Sequence, residues 1–257
     1  MIMSVLTPDE VFETLATVRD RRPRVHCITN AVAQNFTANM LLALGAVPSM
    51  TIAANEVREF TSRSQALLVN IGTMDRDRSE AIDLAIEVAG SEGIPWALDP
   101  VFAHSSTVRA DLARRLATRR PDLIRGNAGE FEVLLEAWPD EDRVAAYAAE
   151  NRLVAALTGA IDFITDGPRR IKLAQGDPLM DRVTAMGCAG TAVLAAFLGS
   201  GIMPLTAAAA GLTVLGVAGE MAAARATGPG TFAVHYLDAV YRIGHHDLAA
   251  TMKEAET

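Results

Sequence analysis

Short, almost wholly apolar runs are the feature that most constrains the fold of this chain. One of them reads ALLVNIG at positions 66–72, and a longer segment with the spacing of an amphipathic helix follows it. A strand that is apolar on both sides must be buried on both faces, which is typical of a parallel sheet with helices on each side. The repetition of this pattern predicts an α/β protein, a three-layer α/β/α sandwich around a mostly parallel sheet.

The same patterns give the expected elements along the chain. Strands are predicted at 24–29, 47–51, 66–71, 94–98, 123–125, 163–165 and 170–174. Helices are predicted at 8–19, 33–44, 77–91, 108–119, 129–137, 141–158, 187–198, 205–226 and 236–242. No Pro/Ser linker, low-complexity tract or fixed-period repeat divides the sequence, so residues 1–257 are expected to form one domain.

Charge and cysteine content narrow the class of protein. The chain carries 23 Lys and Arg against 31 Asp and Glu, a formal net charge of −8, and no basic run marks a nucleic-acid surface. Cys27 and Cys188 lie far apart, behind an N-terminus without an apolar signal region, which favours reduced thiols in the cytoplasm. The uncharged stretch 183–219 is interrupted at Gly199, Gly201 and Pro204. Buried core helices are therefore expected there, and no membrane span.

Polar residues that follow predicted strands are candidates for a site, because ligands of parallel sheets bind beyond the carboxyl ends of the strands. Asp99 in PWALDPVF suits a divalent cation or a contact near phosphate, and an Asp that caps the next turn is an equal alternative. In IRGNAGE, Arg125 ends a strand, and Asn127 and Glu130 share one face at a helix start. These three residues predict a Mg²⁺·phosphate site, whereas spacing alone favours a simple capping box of Asn127 and Glu130.

A third candidate is the start of an uncharged helix in TAMGCAG at 184–190. Free backbone N–H groups at such a start can hold a transferring phosphoryl group. Cys188 lies in the first turn, where the helix dipole is expected to lower a thiol pKa, so the thiol could take a proton from a substrate hydroxyl. A small cysteine buried in helix packing is the simpler alternative. The chain contains neither a Walker P-loop motif nor GxGxxG.

Collinear motifs over nearly the whole chain resemble the hydroxyethylthiazole kinase family of the ribokinase-like superfamily. They begin with VHCITNAVAQNFTANMLLALGAVPSM at 25–50, continue through ALLVNIGT, PWALDPV, IRGNAGE, TGAIDFITDG and GDPLM, and end with GPGTFAVHYLDA at 228–239. The resemblance implies a ribokinase-like fold that uses ATP and Mg²⁺. It implies phosphorylation of the hydroxyl of 4-methyl-5-(2-hydroxyethyl)thiazole in thiamin biosynthesis or salvage. It also implies a homotrimer with active sites between subunits.

Residue by residue, the resemblance implies four roles in the site. The thiazole alcohol would be bound by Met50, Ala185 and Asn30, and ATP by Arg125 and Thr158. Mg²⁺ would be bound by Glu130 and Asp99, and the catalytic residues would be Gly187 and Cys188. In this family a thiol stands where most ribokinase-like enzymes have an aspartate base. The amides at the helix start would hold the γ-phosphoryl group, while the thiol or a nearby water takes the hydroxyl proton.

The glycine-rich turn departs from the family pattern, which usually reads Gly-Thr-Gly-Cys, because Ala185 and Met186 precede Gly187 here. If position 185 needs a positive φ, the methyl group is costly; otherwise it only narrows the pocket. Ala160 also stands where the family often has an acid. These departures leave two alternatives: a kinase for another small heterocyclic alcohol, of the hydroxymethylpyrimidine or pyridoxal type, and a relative that binds its ligands without turnover.

Overall fold

The computed structural model describes residues 2–3 and 6–252. The strands are β1 Ile2–Met3, β2 Arg24–Ile28, β3 Val47–Ser49, β4 Ala66–Asn70, β5 Trp96–Asp99, β6 Leu123–Gly126, β7 Val154–Leu157, β8 Asp162–Thr165 and β9 Arg169–Leu173. The α-helices are α1 Pro8–Arg21, α2 Gln34–Leu44, α3 Val57–Ser62, α4 Arg76–Glu92, α5 Thr107–Ala117, α6 Ala128–Leu135, α7 Glu141–Asn151, α8 Met186–Gly199, α9 Pro204–Ala223, α10 Pro229–Arg242 and α11 His245–Thr251. Two short 3-10 helices lie at Ala103–Ser105 and Pro178–Arg182.

All of these strands lie in a single nine-stranded sheet, in the order β1-β9-β8-β7-β6-β5-β4-β2-β3. The pairings from β7 through β6, β5, β4 and β2 to β3 are parallel, and so is the pairing of β1 with β9. Only β8 runs antiparallel to its neighbours β7 and β9. The mostly parallel sheet that the apolar strands predict is therefore confirmed.

Helices cover both faces of the sheet and enclose two separate cores. Residues of α1, α2 and α8–α11 form one buried cluster, which includes Phe197, Phe232 and Tyr236. Residues of α3–α7 form the other, which includes Phe131 and Trp96. Full burial of a large apolar side chain contributes about 1.5–3 kcal/mol, so both layers stabilise the sheet. The predicted three-layer α/β/α sandwich is confirmed.

The predicted helix at 141–158 is wrong in its second half. The helix ends at Asn151, Arg152 closes it with a φ of 54°, and Val154–Leu157 forms the central strand β7. The alanine-rich segment has high helix propensity, but both faces of these residues are covered in the sheet, and this packing overrides the local preference. The strand β1 and the helices α3 and α11 were not predicted, because each is too short to show a period.

The long uncharged stretch forms α8 and α9. Among the described residues, α9 is the one helix long and apolar enough to span a membrane, and 83% of its most apolar window is buried inside the protein. A core helix of a large α/β sandwich has the same length and composition. Burial of this helix agrees with the core position that was expected for it.

Candidate active site

Five parallel strands, β5–β7 on one side of β4 and β2 and β3 on the other, bring the predicted site residues to one edge of the sheet. Asp99 ends β5, Arg125 lies near the end of β6, and Thr158 directly follows β7. Asn30 follows β2, and Met50 follows the adjacent strand β3. Because the carboxyl ends of parallel strands meet at the same edge, these side chains surround a common region.

The start of α8 borders this region on the sheet face that is covered by α1, α2 and α8–α11. Ala185 is the N-cap residue with a φ of 69°, and its carbonyl accepts the first helical hydrogen bond from Ala189 N at 2.9 Å. Its methyl group cannot accept a hydrogen bond, so the N-cap residue leaves the first amides of α8 uncapped. Gly187 lies against Arg125: a Cβ at this glycine would be 2.6 Å from Arg125 Nη1. The structure therefore joins the helix start to the strand ends.

Asp99 is a buried carboxylate with a defined orientation. It is 2% exposed, and its Oδ2 accepts hydrogen bonds from Asn70 Nδ2 at 2.7 Å and from Thr191 Oγ1 at 3.1 Å. Burial, together with the negative charge of Glu130, raises the pKa of Asp99 to about 7. A cation near Asp99 would favour the charged form of this carboxylate.

Glu130 closes the N-terminus of α6 in the capping box that its spacing from Asn127 allows. Its Oε2 accepts from Asn127 N at 2.8 Å, while Asn127 Oδ1 accepts from Glu130 N at 3.1 Å. The other oxygen, Oε1, accepts from Phe102 N in the loop after β5, at 2.9 Å. The capping interpretation is confirmed, and Glu130 is also held beside the Asp99 loop. A role for this carboxylate in metal binding stays a prediction.

Cys188 contacts the strand-end residues but does not have the lowered pKa expected for it. Its Sγ accepts a hydrogen bond from Asn30 Nδ2 at 3.2 Å. Burial, and next the negative charge of Asp99, raise the pKa of Cys188 to about 11, and the hydrogen bonds from asparagine amides offset only part of this. The expected activation by the helix dipole is corrected: a half-buried thiol with this pKa is neutral near pH 7.

Arg125 forms no ion pair among the described residues, although its positive charge offsets part of the rise that burial causes in the pKa of Asp99 and of Asp162. None of the ion pairs in the described part of the chain includes it. Its Nε is buried and lacks a hydrogen-bond partner. A guanidinium that is partly withdrawn from water without a partner has a strong tendency to bind an incoming anion. Its place beside Gly187 puts that anion at the uncapped start of α8.

The remaining predicted residues lie at the border of this region. Thr158 N donates to Gly126 O at 2.8 Å, which fixes Thr158 beside the Arg125 strand. Met50 is half-buried and packs on the larger core. Asn30 is 6% exposed, and its amide is used inside the protein, since it also accepts from Ala33 N at 3.0 Å. Direct contact of these residues with substrates stays a prediction.

Two residues of the site, Asn70 and Thr191, were not singled out from the sequence. Asn70 is the last residue of β4 and pairs in register with Asp99 on β5. Thr191 lies on α8, one turn after Cys188. A polar residue that ends an apolar strand is the signal that pointed to Asp99, and it would have identified Asn70. No sequence signal separates Thr191 from the other small residues of its helix.

The mostly parallel sheet covered by helices on both faces has the ribokinase-like fold, and its strand ends meet the open start of α8 in one candidate site. A ribokinase-like superfamily protein from Enterococcus faecalis V583 has the same fold, with a TM-score of 0.70 over 95% of this chain and 97% of that one at 11% identity. The chain itself belongs to the hydroxyethylthiazole kinase family, whose model matches residues 15–246.

Individual relatives agree with this family assignment. A protein named probable hydroxyethylthiazole kinase from Agrobacterium fabrum is 41% identical over 236 residues, which cover 92% of this chain and 91% of the relative. The structure of a hydroxyethylthiazole kinase protein from Pyrococcus horikoshii OT3 is similar with a TM-score of 0.91 at 36% identity, over 97% of this chain and 99% of that one. The family resemblance inferred from the motifs is confirmed.

Proposed function

We propose that this protein transfers the γ-phosphoryl group of ATP to the hydroxyl of 4-methyl-5-(2-hydroxyethyl)thiazole, a reaction of thiamin biosynthesis or salvage. The observation that carries the proposal is the unpartnered Arg125 guanidinium against the uncapped start of α8. This pair of features provides positive charge and free N–H groups for a phosphoryl group. Membership of the family supplies the substrate.

Two groups of residues would bind the nucleotide and its metal ion. Arg125 and Thr158 lie on adjacent strands and would contact ATP. Asp99 and Glu130 are both buried carboxylates, 2% and 5% exposed, and they suit Mg²⁺, which prefers one or two carboxylates plus phosphate oxygens and water. The described part of the chain contains no group of three or more His, Cys, Asp or Glu that could hold a metal ion, so the nucleotide would have to supply part of the coordination. Bound Mg²⁺ would neutralise charge on the phosphates.

The start of α8 would provide most of the stabilisation of the transferring phosphoryl group. The amides of Gly187 and Cys188 would hold the γ-phosphoryl group, and Arg125 would neutralise charge that develops on it. Because burial keeps Cys188 protonated near pH 7, the thiol would orient the substrate hydroxyl while the hydroxyl proton leaves to water. Met50 and Ala185 would border the thiazole ring. Phosphoryl transfer depends on positioning and electrostatics, so a weak base is sufficient.

The remaining expectations concern the protein as a whole. We propose a homotrimer with active sites between subunits, located in the cytoplasm, as the family resemblance implies. All described strands lie in one sheet, which supports one domain over residues 1–257. Sedimentation analysis of the purified protein tests the trimer directly.

The proposed reaction is tested by a coupled ADP-release assay with three alcohols: the thiazole alcohol, hydroxymethylpyrimidine and pyridoxal. We expect the thiazole alcohol to give the highest kcat/KM, and EDTA to abolish the reaction. Faster phosphorylation of hydroxymethylpyrimidine or pyridoxal would show that the proposed substrate is wrong. Binding of ATP and the thiazole alcohol without formation of product would refute the proposed kinase activity.

A pair of arginine variants tests the residue that carries the proposal. Arg125→Gln should raise KM for ATP at least about tenfold, because a charge-assisted contact to phosphate is lost. Arg114→Gln is the matched control, since Arg114 lies in exposed ion pairs with Asp111 and Glu136. Equal kinetics of the two variants would remove Arg125 from the ATP site.

A further inference from the structure

A chain of hydrogen bonds connects the Cys188 thiol with the Asp99 carboxylate through two buried amides. Asn30 Nδ2 lies 3.2 Å from Cys188 Sγ and 3.0 Å from Asn70 Oδ1. Asn70 Nδ2 in turn lies 2.7 Å from Asp99 Oδ2. The four residues come from the turn after β2, the end of β4, the end of β5 and the first turn of α8. The chain therefore joins four elements at the candidate site.

Backbone N–H groups determine the direction of both amides. Asn30 Oδ1 accepts from Ala33 N at 3.0 Å, and Asn70 Oδ1 accepts from Gly72 N at 3.0 Å. A backbone N–H can only donate, so the oxygen of each amide must face it, and each Nδ2 must point along the chain towards the next residue. Rotation of either amide by half a turn would set donor against donor. The order from thiol to carboxylate is therefore fixed.

The carboxylate end of the chain leaves one oxygen available. Asp99 Oδ2 accepts from Asn70 Nδ2 and also from Thr191 Oγ1 at 3.1 Å. No hydrogen bond from the described residues reaches Asp99 Oδ1. Thr191 lies one turn after Cys188 on α8, and its hydroxyl is 3.1 Å from Asp99 Oδ2 and 3.3 Å from Gly187 O on its own helix. A hydrogen bond shared between these two oxygens links the helix that carries the thiol to the carboxylate. Oδ2 is a structural oxygen, and Oδ1 is the one that a bound cation or phosphate-linked water can use.

We propose that Asn30 and Asn70 are positioning residues that hold the Cys188 thiol and the Asp99 carboxylate in one fixed arrangement, with Thr191 completing it from α8. The inference deepens the proposed function and rests on it in placing Cys188 and Asp99 in the active site. It assigns Asn30 to the support of Cys188, since both its Nδ2 protons and its oxygen have partners inside the protein.

The link between Asn30 and Cys188 is tested by the reactivity of the thiol. Asn30→Asp replaces the N–H donor beside Sγ with a carboxylate oxygen, which disfavours the thiolate. The time profile of Cys188 alkylation by iodoacetamide at one fixed pH of about 8 should therefore slow about tenfold. Mass spectrometry assigns the label, and Cys27, which is fully buried, provides an internal control for unfolding. An unchanged profile in a variant whose Cys27 stays protected would overturn this link.

The link to Asp99 is tested by kinetics with matched variants. Thr191→Val removes a hydroxyl with little change of shape, Thr191→Ser retains it, and Asn70→Asp sets an oxygen against Asp99 Oδ2. We expect Thr191→Val and Asn70→Asp to lower kcat at least about tenfold with KM for the thiazole alcohol nearly unchanged, and Thr191→Ser to recover most of kcat. Thr213→Val is the control, because Thr213 is equally buried and bonds only within α9, to Ala209 O at 2.9 Å.

The two proposals fail in distinguishable ways. If the enzyme phosphorylates another alcohol, the slower alkylation of Asn30→Asp remains and the kinetic comparison is repeated with that alcohol. If the thiazole alcohol is the substrate but Thr191→Val behaves like Thr213→Val, positioning of Asp99 is refuted while the proposed function stands.

Discussion

Replacement of Ala185 by glycine should stabilise this protein, although glycine normally destabilises a helical segment. Ala185 has a φ of 69° and a ψ of 0° at the start of α8, and the left-handed region costs an L-residue about 1–2 kcal/mol. Glycine removes that cost, but its greater conformational entropy stabilises the unfolded chain by about 0.4–1 kcal/mol. The difference lies between about 0 and 1.6 kcal/mol, and its midpoint is a net gain of about 0.8 kcal/mol. For a chain of this length it corresponds to a rise in Tm of about 1–4 °C.

The matched control is Ala189→Gly, which removes the same methyl group one turn further along α8. Ala189 is fully buried inside the helix. Glycine there costs about 1 kcal/mol of helix propensity and about 0.8 kcal/mol of lost burial. Thermal unfolding followed by circular dichroism should therefore show opposite shifts: a small rise for Ala185→Gly and a fall of about 4–7 °C for Ala189→Gly. A fall for both variants would refute the strain at position 185.

The same variant has a kinetic consequence. The backbone at position 185 already has the conformation that glycine prefers, so the amides of Gly187 and Cys188 should keep their places. We expect kcat of Ala185→Gly to stay within about threefold of the parent value. The earlier alternative, that the methyl group only narrows the pocket, would instead give a changed KM for the thiazole alcohol with no gain in Tm.

Three further predictions address other parts of the site and the core. Glu130→Ala should lose most activity, because it lacks a candidate Mg²⁺ ligand and a helix cap. Cys188→Ser should retain measurable turnover. Equal inactivity of the two variants in the ADP-release assay would contradict these different roles of Glu130 and Cys188. Gly187→Ala should push the flexible end of Arg125 aside and raise KM for ATP about tenfold with little change in Tm; an unchanged KM would contradict it. Burial lowers the pKa of His26 from 6.5 to about 4. As the pH falls, His26 therefore binds a proton in the unfolded chain at a higher pH than in the folded protein. About 3 kcal/mol of the free energy of unfolding should be lost between about pH 6.5 and about pH 4. Urea unfolding at several pH values checks this, and a His26→Asn variant with the same acid dependence would refute it.

The layers of the fold were predictable because they follow from local patterns. Apolar strands such as 66–70 need cover on both faces, and the predicted sandwich provides it. The strand β7 was not predictable in this way, since Leu153–Leu157 continues an alanine-rich helical pattern without interruption. Its strand conformation depends on pairing with β6 and β8, which are distant or later in the sequence, and a local pattern contains no such information.

The candidate site was predictable as a set of positions but not as a set of chemical states. Residues at strand ends could be named because the fold class fixes where strand ends lie. The raised pKa of Cys188 could not be predicted, because the helix dipole and burial act on it in opposite directions. Burial, and next the negative charge of Asp99, prevail over the amide hydrogen bonds, and both depend on tertiary packing.

The helices α6 and α8 begin at the same edge of the sheet, but only α6 has a capping side chain at its N-terminus. At the start of α6, Asn127 Oδ1 accepts from Glu130 N at 3.1 Å and Glu130 Oε2 accepts from Asn127 N at 2.8 Å, so this start is capped by side chains. The start of α8 has a strained alanine in place of a capping side chain and a glycine packed on Arg125. A protein selected for stability alone would cap both. The start of α8 therefore leaves backbone N–H groups available, and in the proposed reaction a phosphoryl group would take the place of the missing cap. Both oxygens of Glu130, in contrast, already accept backbone hydrogen bonds.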